Sequence, residues 1–326
     1  MPLLHDRFPE LRDTLPHVTL GQSPSPLRRI EGLTNAELWV KDEGAFGDGG
    51  WGGNKVRKLE WLIPDAQRRG RRTILTFGGL GTNWGLATAL YGKEHGLSIG
   101  LALVDQPVDD HVRAQLGRLR TSGARLHFTH SKARTIALLP LLLAQHRDGV
   151  KPPYLLPAGG SSAVGVLGPV EVALELADAV QRGDLQEPSH VVTAVGTGGT
   201  AGGLALGLAL AGLRTKVVAV VVNDKLKLDE PTISSRARRT QKLLRARGAR
   251  LPTVDLTGRL LVVRDQLGAG YGHSTPEGSR ATEAAGAAGL HLDPVYTAKA
   301  AAELLAMDER GELEGPVVFL QTDGPR

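Results

Sequence analysis

The residues best placed to do chemistry lie in the run Gly52-Gly53-Asn54-Lys55-Val56-Arg57-Lys58-Leu59-Glu60. Two glycines let the backbone approach a bound group closely, and Lys55 then falls at the entry to an amphipathic helix, on a turn that can aim its amine. An unprotonated lysine amine can form a Schiff base with a carbonyl compound. A partly buried site beside the cations Arg57 and Lys58 would favour that state by lowering the lysine pKa. A second run, Val195-Gly196-Thr197-Gly198-Gly199-Thr200-Ala201-Gly202-Gly203, is a glycine-rich turn between an apolar strand and a helix. Its backbone N–H groups and the helix N-terminus together favour a phosphate dianion. No Gly-Lys-Ser/Thr follows and the dinucleotide spacing is missing, which leaves a phosphate carried by some other small molecule. Each run taken alone also fits a plainer role, as a surface lysine near a helix start and as a turn that uses glycine for packing.

These runs need elements to position them. Val56, Leu59, Leu62, Ile63 and Ala66 recur at helical spacing, with Gly70 where a C-terminal cap belongs. Beyond it the pattern predicts strands at 73–77, 99–104, 126–129 and 154–157, separated by helices over 83–95, 109–122 and 135–146. A second series has a helix over 164–181, a strand at 191–195, a helix after Ala201 and a continuous apolar strand at 217–222. Helices over 234–247, 277–288 and 297–307 and a strand at 317–320 complete it. Strands apolar on both faces suit parallel sheets covered by helices. The expected fold class is therefore α/β, with two open, mainly parallel twisted sheets.

Composition agrees with a protein of about two domains, since 326 residues with 41% hydrophobic content exceed one small core. The absence of cysteine excludes disulfides, thiolate metal ligands and cysteine nucleophiles. No run approaches the ~18 apolar residues of a membrane helix, and a cytoplasmic location is expected. The net charge of +5, with arginines at 68, 69, 71 and 72 and between 236 and 250, raises nucleic acid as a partner. Without interleaved aromatics those clusters read instead as solvated helix faces, and no nucleic acid or membrane partner is expected. His127 and His130 sit at an odd spacing on a strand, on opposite faces, so no metal site is expected there. Asp109 and Asp110 read as acidic residues at a helix start.

The segment from Gly52 to Ala66, the turn Gly78-Gly79-Leu80-Gly81-Thr82-Asn83, Pro157-Ala158-Gly159-Gly160-Ser161-Ser162 and Leu292-Asp293-Pro294-Val295-Tyr296-Thr297 resemble the 1-aminocyclopropane-1-carboxylate (ACC) deaminase and D-cysteine desulfhydrase family, in the family's order. The resemblance implies a fold type II enzyme, tryptophan synthase β-like, that uses pyridoxal 5′-phosphate (PLP) on a small amino-acid substrate, usually as a homodimer. It further implies a large cofactor domain over 1–57 and 169–326 and a smaller mobile domain over 58–168. Carried over by position, Lys55 resembles the Schiff-base lysine, with Asn54 beside it among the cofactor-binding residues. Asn83 resembles the asparagine near the cofactor's 3′-oxygen, and Gly196, Thr197, Gly198, Gly199 and Thr200 resemble the phosphate loop. Tyr271 and Tyr296 resemble the two active-site tyrosines, and Thr82 keeps a hydroxyl for proton transfer or carboxylate contact.

Thr297 matches the position facing the pyridine nitrogen, where the deaminases carry glutamate. A neutral threonine suits a β-elimination better than cyclopropane ring opening, and so favours D-cysteine conversion to pyruvate, ammonia and sulfide over ACC deamination. The chain departs from the family's Ser-Asn-Gln at Thr82-Asn83-Trp84, where an indole replaces a carboxylate-binding amide and would fill space or stack. That departure keeps a non-catalytic PLP-binding protein of the same fold as an alternative. The run Thr322-Asp323-Gly324 resembles the family's Thr-Gly-Gly turn.

Overall fold

The computed structural model describes residues 1–47, 51–322 and 324. A short helix α1 (Leu3–Arg7) precedes strands β1 (Leu27–Ile30) and β2 (Leu38–Asp42) and helix α2 (Asn54–Arg68). Then come β3 (Thr73–Gly79), α3 (Asn83–Glu94), β4 (Ser98–Val104), α4 (Asp110–Thr121), β5 (Arg125–His130), α5 (Lys132–Gln145) and β6 (Tyr154–Leu155). The chain continues through α6 (Leu167–Arg182), β7 (His190–Val195), α7 (Gly199–Leu210), β8 (Lys216–Val221), α8 (Glu230–Ala246) and β9 (Leu260–Val263). It closes with α9 (Pro276–Ala287), α10 (Thr297–Glu309) and β10 (Val317–Gln321).

The strands form a six-stranded sheet in the order β1-β2-β10-β7-β8-β9 and a four-stranded sheet in the order β5-β4-β3-β6. Every pairing is parallel except β1 with β2. The expected α/β architecture with two mainly parallel sheets is the one found. Alternation along the strands explains how each sheet is covered. Val217, Ala219 and Val221 pack with the α6 and α7 side, while Val218, Val220 and Val222 pack with alanines and leucines of α9 and α10. In the smaller sheet Ile74, Leu101 and Leu103 join the main core, and Leu75 and Ala102 meet Leu142 of α5.

Three strands lie outside the expected set, namely β1, β2 and β9. The expected domain boundary between 57 and 58 falls inside α2, which is one continuous helix. His127 meets His146, with their Nε2 atoms 2.7 Å apart, while His130 pairs with Asp105. Asp109 caps α4, its Oδ1 accepting from Val112 N at 2.8 Å. Among the described residues no helix is long and apolar enough to cross a membrane.

The N-terminal helix docks on a buried carboxylate. Glu171 accepts from Leu3 N at 2.8 Å and Leu4 N at 2.9 Å, and burial pushes its pKa from 4.5 up to about 7 against the pull of those two bonds. The folded state therefore holds a proton that the unfolded chain releases between about pH 4.5 and 7. Stability is fully present below that window and falls as pH rises through it, by about 3 kcal/mol. Glu171→Gln should flatten this slope, which thermal melts at pH 5 and pH 8 would reveal; an unchanged difference between the two melts would rule it out.

Candidate active site

A cavity of about 480 Å³ opens between the two sheets, at the carboxyl ends of β3, β4 and β7, where open α/β sheets place their ligands. Lys55 reaches it from the first turn of α2. Gly53 caps that helix with φ +108°, a conformation open to glycine at little cost, so the backbone can turn sharply just before the lysine. Lys55 Nζ donates to Asn54 Oδ1 at 2.7 Å, and Asn54 Nδ2 donates to Thr200 Oγ1 at 3.2 Å. The asparagine thus ties the lysine to the glycine turn that sequence places far from it.

That turn runs from β7 into α7. Gly198 is the N-cap of α7 in the left-handed region, and Thr197 Oγ1 lies 2.7 Å from Ser161 Oγ. Asn223, just beyond β8, donates to Gly196 O at 2.9 Å. Gly196, Thr197, Gly198 and Thr200 line the cavity, and Gly199 between them is the first residue of α7. A Cβ on Gly199 would collide with Ser161 Oγ and lie 3.2 Å from Lys58 Nζ, so the cradle is shaped for bare backbone.

Thr82 and Asn83 start α3 on the opposite wall. Thr82 Oγ1 accepts from Gly85 N at 3.0 Å, which leaves its hydroxyl hydrogen to donate. Gln115 Nε2 donates to Asn83 Oδ1 at 2.5 Å, leaving the Asn83 amide N–H₂ as donor for a ligand oxygen. Trp84 fills space as expected, with its ring against Gly160 and its Nε1 donating to Thr76 Oγ1 at 2.8 Å. Tyr271 and Tyr296 meet in the same cavity with their hydroxyls 2.7 Å apart. Burial raises the Tyr271 pKa, so its phenol stays protonated and can donate.

Two expectations change. Arg57 does not act as a bare cation beside Lys55. It turns into the core, where its Nε meets Glu43 at 3.0 Å and its Nη1 meets Glu175 at 2.7 Å, and Lys41 joins Glu175 at 2.5 Å. Two residues along a helix point apart by more than half a turn, which is why Arg57 leaves the face that Lys55 takes. Thr297 does not line the cavity. It is fully buried, and its hydroxyl donates to Asp293 Oδ2 at 2.7 Å and accepts from Asp293 N at 2.8 Å. Its proton is committed to that carboxylate, so toward a ring nitrogen it has only a lone pair to offer. Asp323, in the turn after β10, lies outside the described residues.

The sequence reading gave Lys58 no role beyond its charge. It stands one turn after Lys55, a spacing that signals a shared helix face. It is 1% exposed, and its Nζ donates to Gly159 O at 2.8 Å. Burial first, then the charges of Lys55 and Arg236, hold its pKa well below the usual lysine value. A dianion at the adjacent turn would raise it again. Lys299 was missed as well: fully buried on α10, it donates to Leu267 O at 2.8 Å and Gly270 O at 3.2 Å, fixing the loop that carries Tyr271.

The pyridoxal-phosphate dependent enzyme family is matched over residues 18–323, nearly the whole chain. The chain belongs to that family. PLP-dependent enzymes therefore provide the frame for the cavity, and the residues present fit the cofactor. Lys55 is a cavity amine, and the bare glycine turn at a helix N-terminus fits its phosphate. The chain is 32% identical to a D-cysteine desulfhydrase from Serratia proteamaculans (strain 568), over 95% of this chain and 94% of that protein. A protein from Pyrococcus abyssi (strain GE5 / Orsay), named as a candidate ACC deaminase, is 30% identical over 98% of this chain and 95% of its own length. Among solved structures, an ACC deaminase homologue aligns with a TM-score of 0.81 at 25% identity, over 98% of this chain and 95% of that one. This PLP-dependent enzyme thus falls in the group that carries the deaminase and desulfhydrase names, which answers the alternative of a mere carrier.

Proposed function

We propose that the enzyme catalyses α,β-elimination on a small D-amino acid, D-cysteine above all, giving pyruvate, ammonia and sulfide. Bound PLP supplies a carbonyl for the amine of the substrate and withdraws the electrons left at Cα. Lys55 is the group that holds the cofactor and, once displaced, takes the Cα proton. The hydroxyl of Thr82 and the first turn of α3 suit the substrate carboxylate. The two tyrosine hydroxyls can hold the leaving group's proton, because a protonated Tyr271 donates into the cavity. Asn83 holds the 3′-oxygen, and Asn54, Gly196, Thr197, Gly198, Gly199 and Thr200 hold the phosphate.

The observation that carries the choice of β-elimination is the N-terminus of α10. Thr297 occupies it where the deaminases carry a carboxylate. The carboxylate that meets it, Asp293, is spent on Val295 N, Tyr296 N, Thr297 N and the Thr297 hydroxyl. Asp293, so committed, offers no free charge to a protonated pyridine nitrogen, and the electron sink then suits a substrate with a good leaving group. On the same reading Thr297 lies behind the cavity wall on the side of that nitrogen, without a hydrogen bond to it. A homodimer and movement of the smaller sheet relative to the larger are part of it, with the hinge flanking α2 rather than cutting it.

The test is a screen of D-cysteine, L-cysteine, β-chloroalanine, serine and ACC, read as 2-oxoacid formed. Pyruvate from D-cysteine and β-chloro-D-alanine, with sulfide from the first, is the expected result. Formation of 2-oxobutanoate from ACC at a comparable rate would replace this reading with ring opening.

A further inference from the structure

α8 was expected to present its arginines to solvent, and one of them does not. Arg236 shares the inner side of the helix with Ile233 and Ala237, and its Nη1 donates to Ser161 O at 3.1 Å. Its Nε is buried without a hydrogen-bond partner. Among the described residues no carboxylate pairs with it, in contrast to the core cations Lys41 and Arg57. A Cβ built on Gly198 would come within 3.0 Å of that same Nε, so the orphaned donor lies directly against the N-cap of α7. Lys58 closes in on the neighbouring Gly199 from the other helix, 3.2 Å from the place of its Cβ. A half-buried guanidinium and a buried amine therefore flank one glycine turn, and among the described residues neither is paired with a carboxylate, an arrangement that favours an anion there.

We propose that Arg236 is a charge partner of the cofactor phosphate, acting against the Gly198 turn and fixing Ser161 while its field neutralises the dianion. Ser161 passes this on, since its hydroxyl is hydrogen-bonded to Thr197 in the loop. A guanidinium keeps its charge under desolvation more firmly than an amine does, so Arg236 and Lys58 are not equivalent. The apoprotein then has a built anion site that takes inorganic phosphate as well as PLP. The assignment presumes PLP as cofactor but not the D-amino acid as substrate.

The experiment compares the full-length wild type with Arg236→Met and Arg236→Lys, stripped of cofactor and titrated with PLP, pyridoxal and inorganic phosphate. Arg236→Met should bind PLP about tenfold or more weakly and lose most of its phosphate affinity, as expected when a charge-assisted partner is removed. Pyridoxal, which lacks the phosphate, should bind it as it binds the wild type, and Arg236→Lys should recover much of the loss. PLP affinity in Arg236→Met within twofold of the wild type would overturn the assignment. So would an equal weakening of pyridoxal, or failure of both variants to fold, since either makes Arg236 a structural residue. A wild type that binds no PLP at all would instead remove the cofactor from the site, a separate failure.

Discussion

Lys55→Ala is expected to abolish covalent attachment of PLP and to lower turnover by about 10³-fold or more, because the other amines on the cavity wall among the described residues, Lys132 and Lys225, stand on α5 and after β8 rather than at the entry to α2. The informative comparison is Lys58→Ala. Lys58 is a buried amine with a strongly lowered pKa, and by titration alone it would look the better nucleophile. Geometry decides otherwise. Lys58 is sealed behind the glycine turn on Gly159 O, while Lys55 opens to the cavity. Lys58→Ala should therefore keep the visible absorbance of the attached cofactor and weaken its binding. Absorbance spectra and mass spectrometry after borohydride reduction separate the outcomes. A label found on Lys58, or attachment surviving in Lys55→Ala, would reverse the assignment of the two lysines.

Gly198→Val and Gly199→Val carry the next largest expected effect, for different reasons. At Gly198 the backbone holds φ +82°, which a β-branched residue adopts only at a cost of about 1–3 kcal/mol, and its side chain would press on Arg236. Gly199 has ordinary backbone, but a side chain there would displace Ser161 Oγ and crowd Lys58. Either change should weaken PLP about tenfold to a hundredfold while circular dichroism stays that of the parent. Titration of the stripped proteins with PLP provides the check; unchanged affinity in both variants would put the phosphate elsewhere.

The parts legible in the sequence are those whose signal is local. β7 and β8 announce themselves as continuous valine-rich runs because both faces are covered, and the glycine turn between β7 and α7 stands out beside them. β2 does not, because its Leu-Trp-Val-Lys-Asp run carries a lysine that reads as solvent-exposed. Lys41 is 2% exposed and owes its burial to Glu175, far along the chain. Arg57 misled in the same way: its partners Glu43 and Glu175 arrive from β2's end and from α6, and no spacing within the Lys55 motif foretells them. β1 escapes notice as a short antiparallel edge with two arginines. Asn223 could have been found, since it directly follows a strand read as parallel, where ligand-facing side chains collect. Thr297 was placed correctly at the start of α10, but the reach of its hydroxyl depended on Asp293, whose side chain bends back to cap the same helix.

The position of β10 bears on how the chain is made. It lies between β2 and β7, parallel to both, so the middle of the six-stranded sheet is filled by a segment translated after every other strand. While the ribosome is still supplying residues 317–321, β2 and β7 each present an unpaired edge, and the Lys55 helix and the glycine turn have no common floor. The smaller sheet, complete once residue 155 has emerged, has no such wait. Nascent chains should therefore acquire protease-resistant structure around residues 73–155 first, with the cofactor cradle assembling only once β10 has emerged, and the exposed edges of β2 and β7 are where premature association between chains would begin.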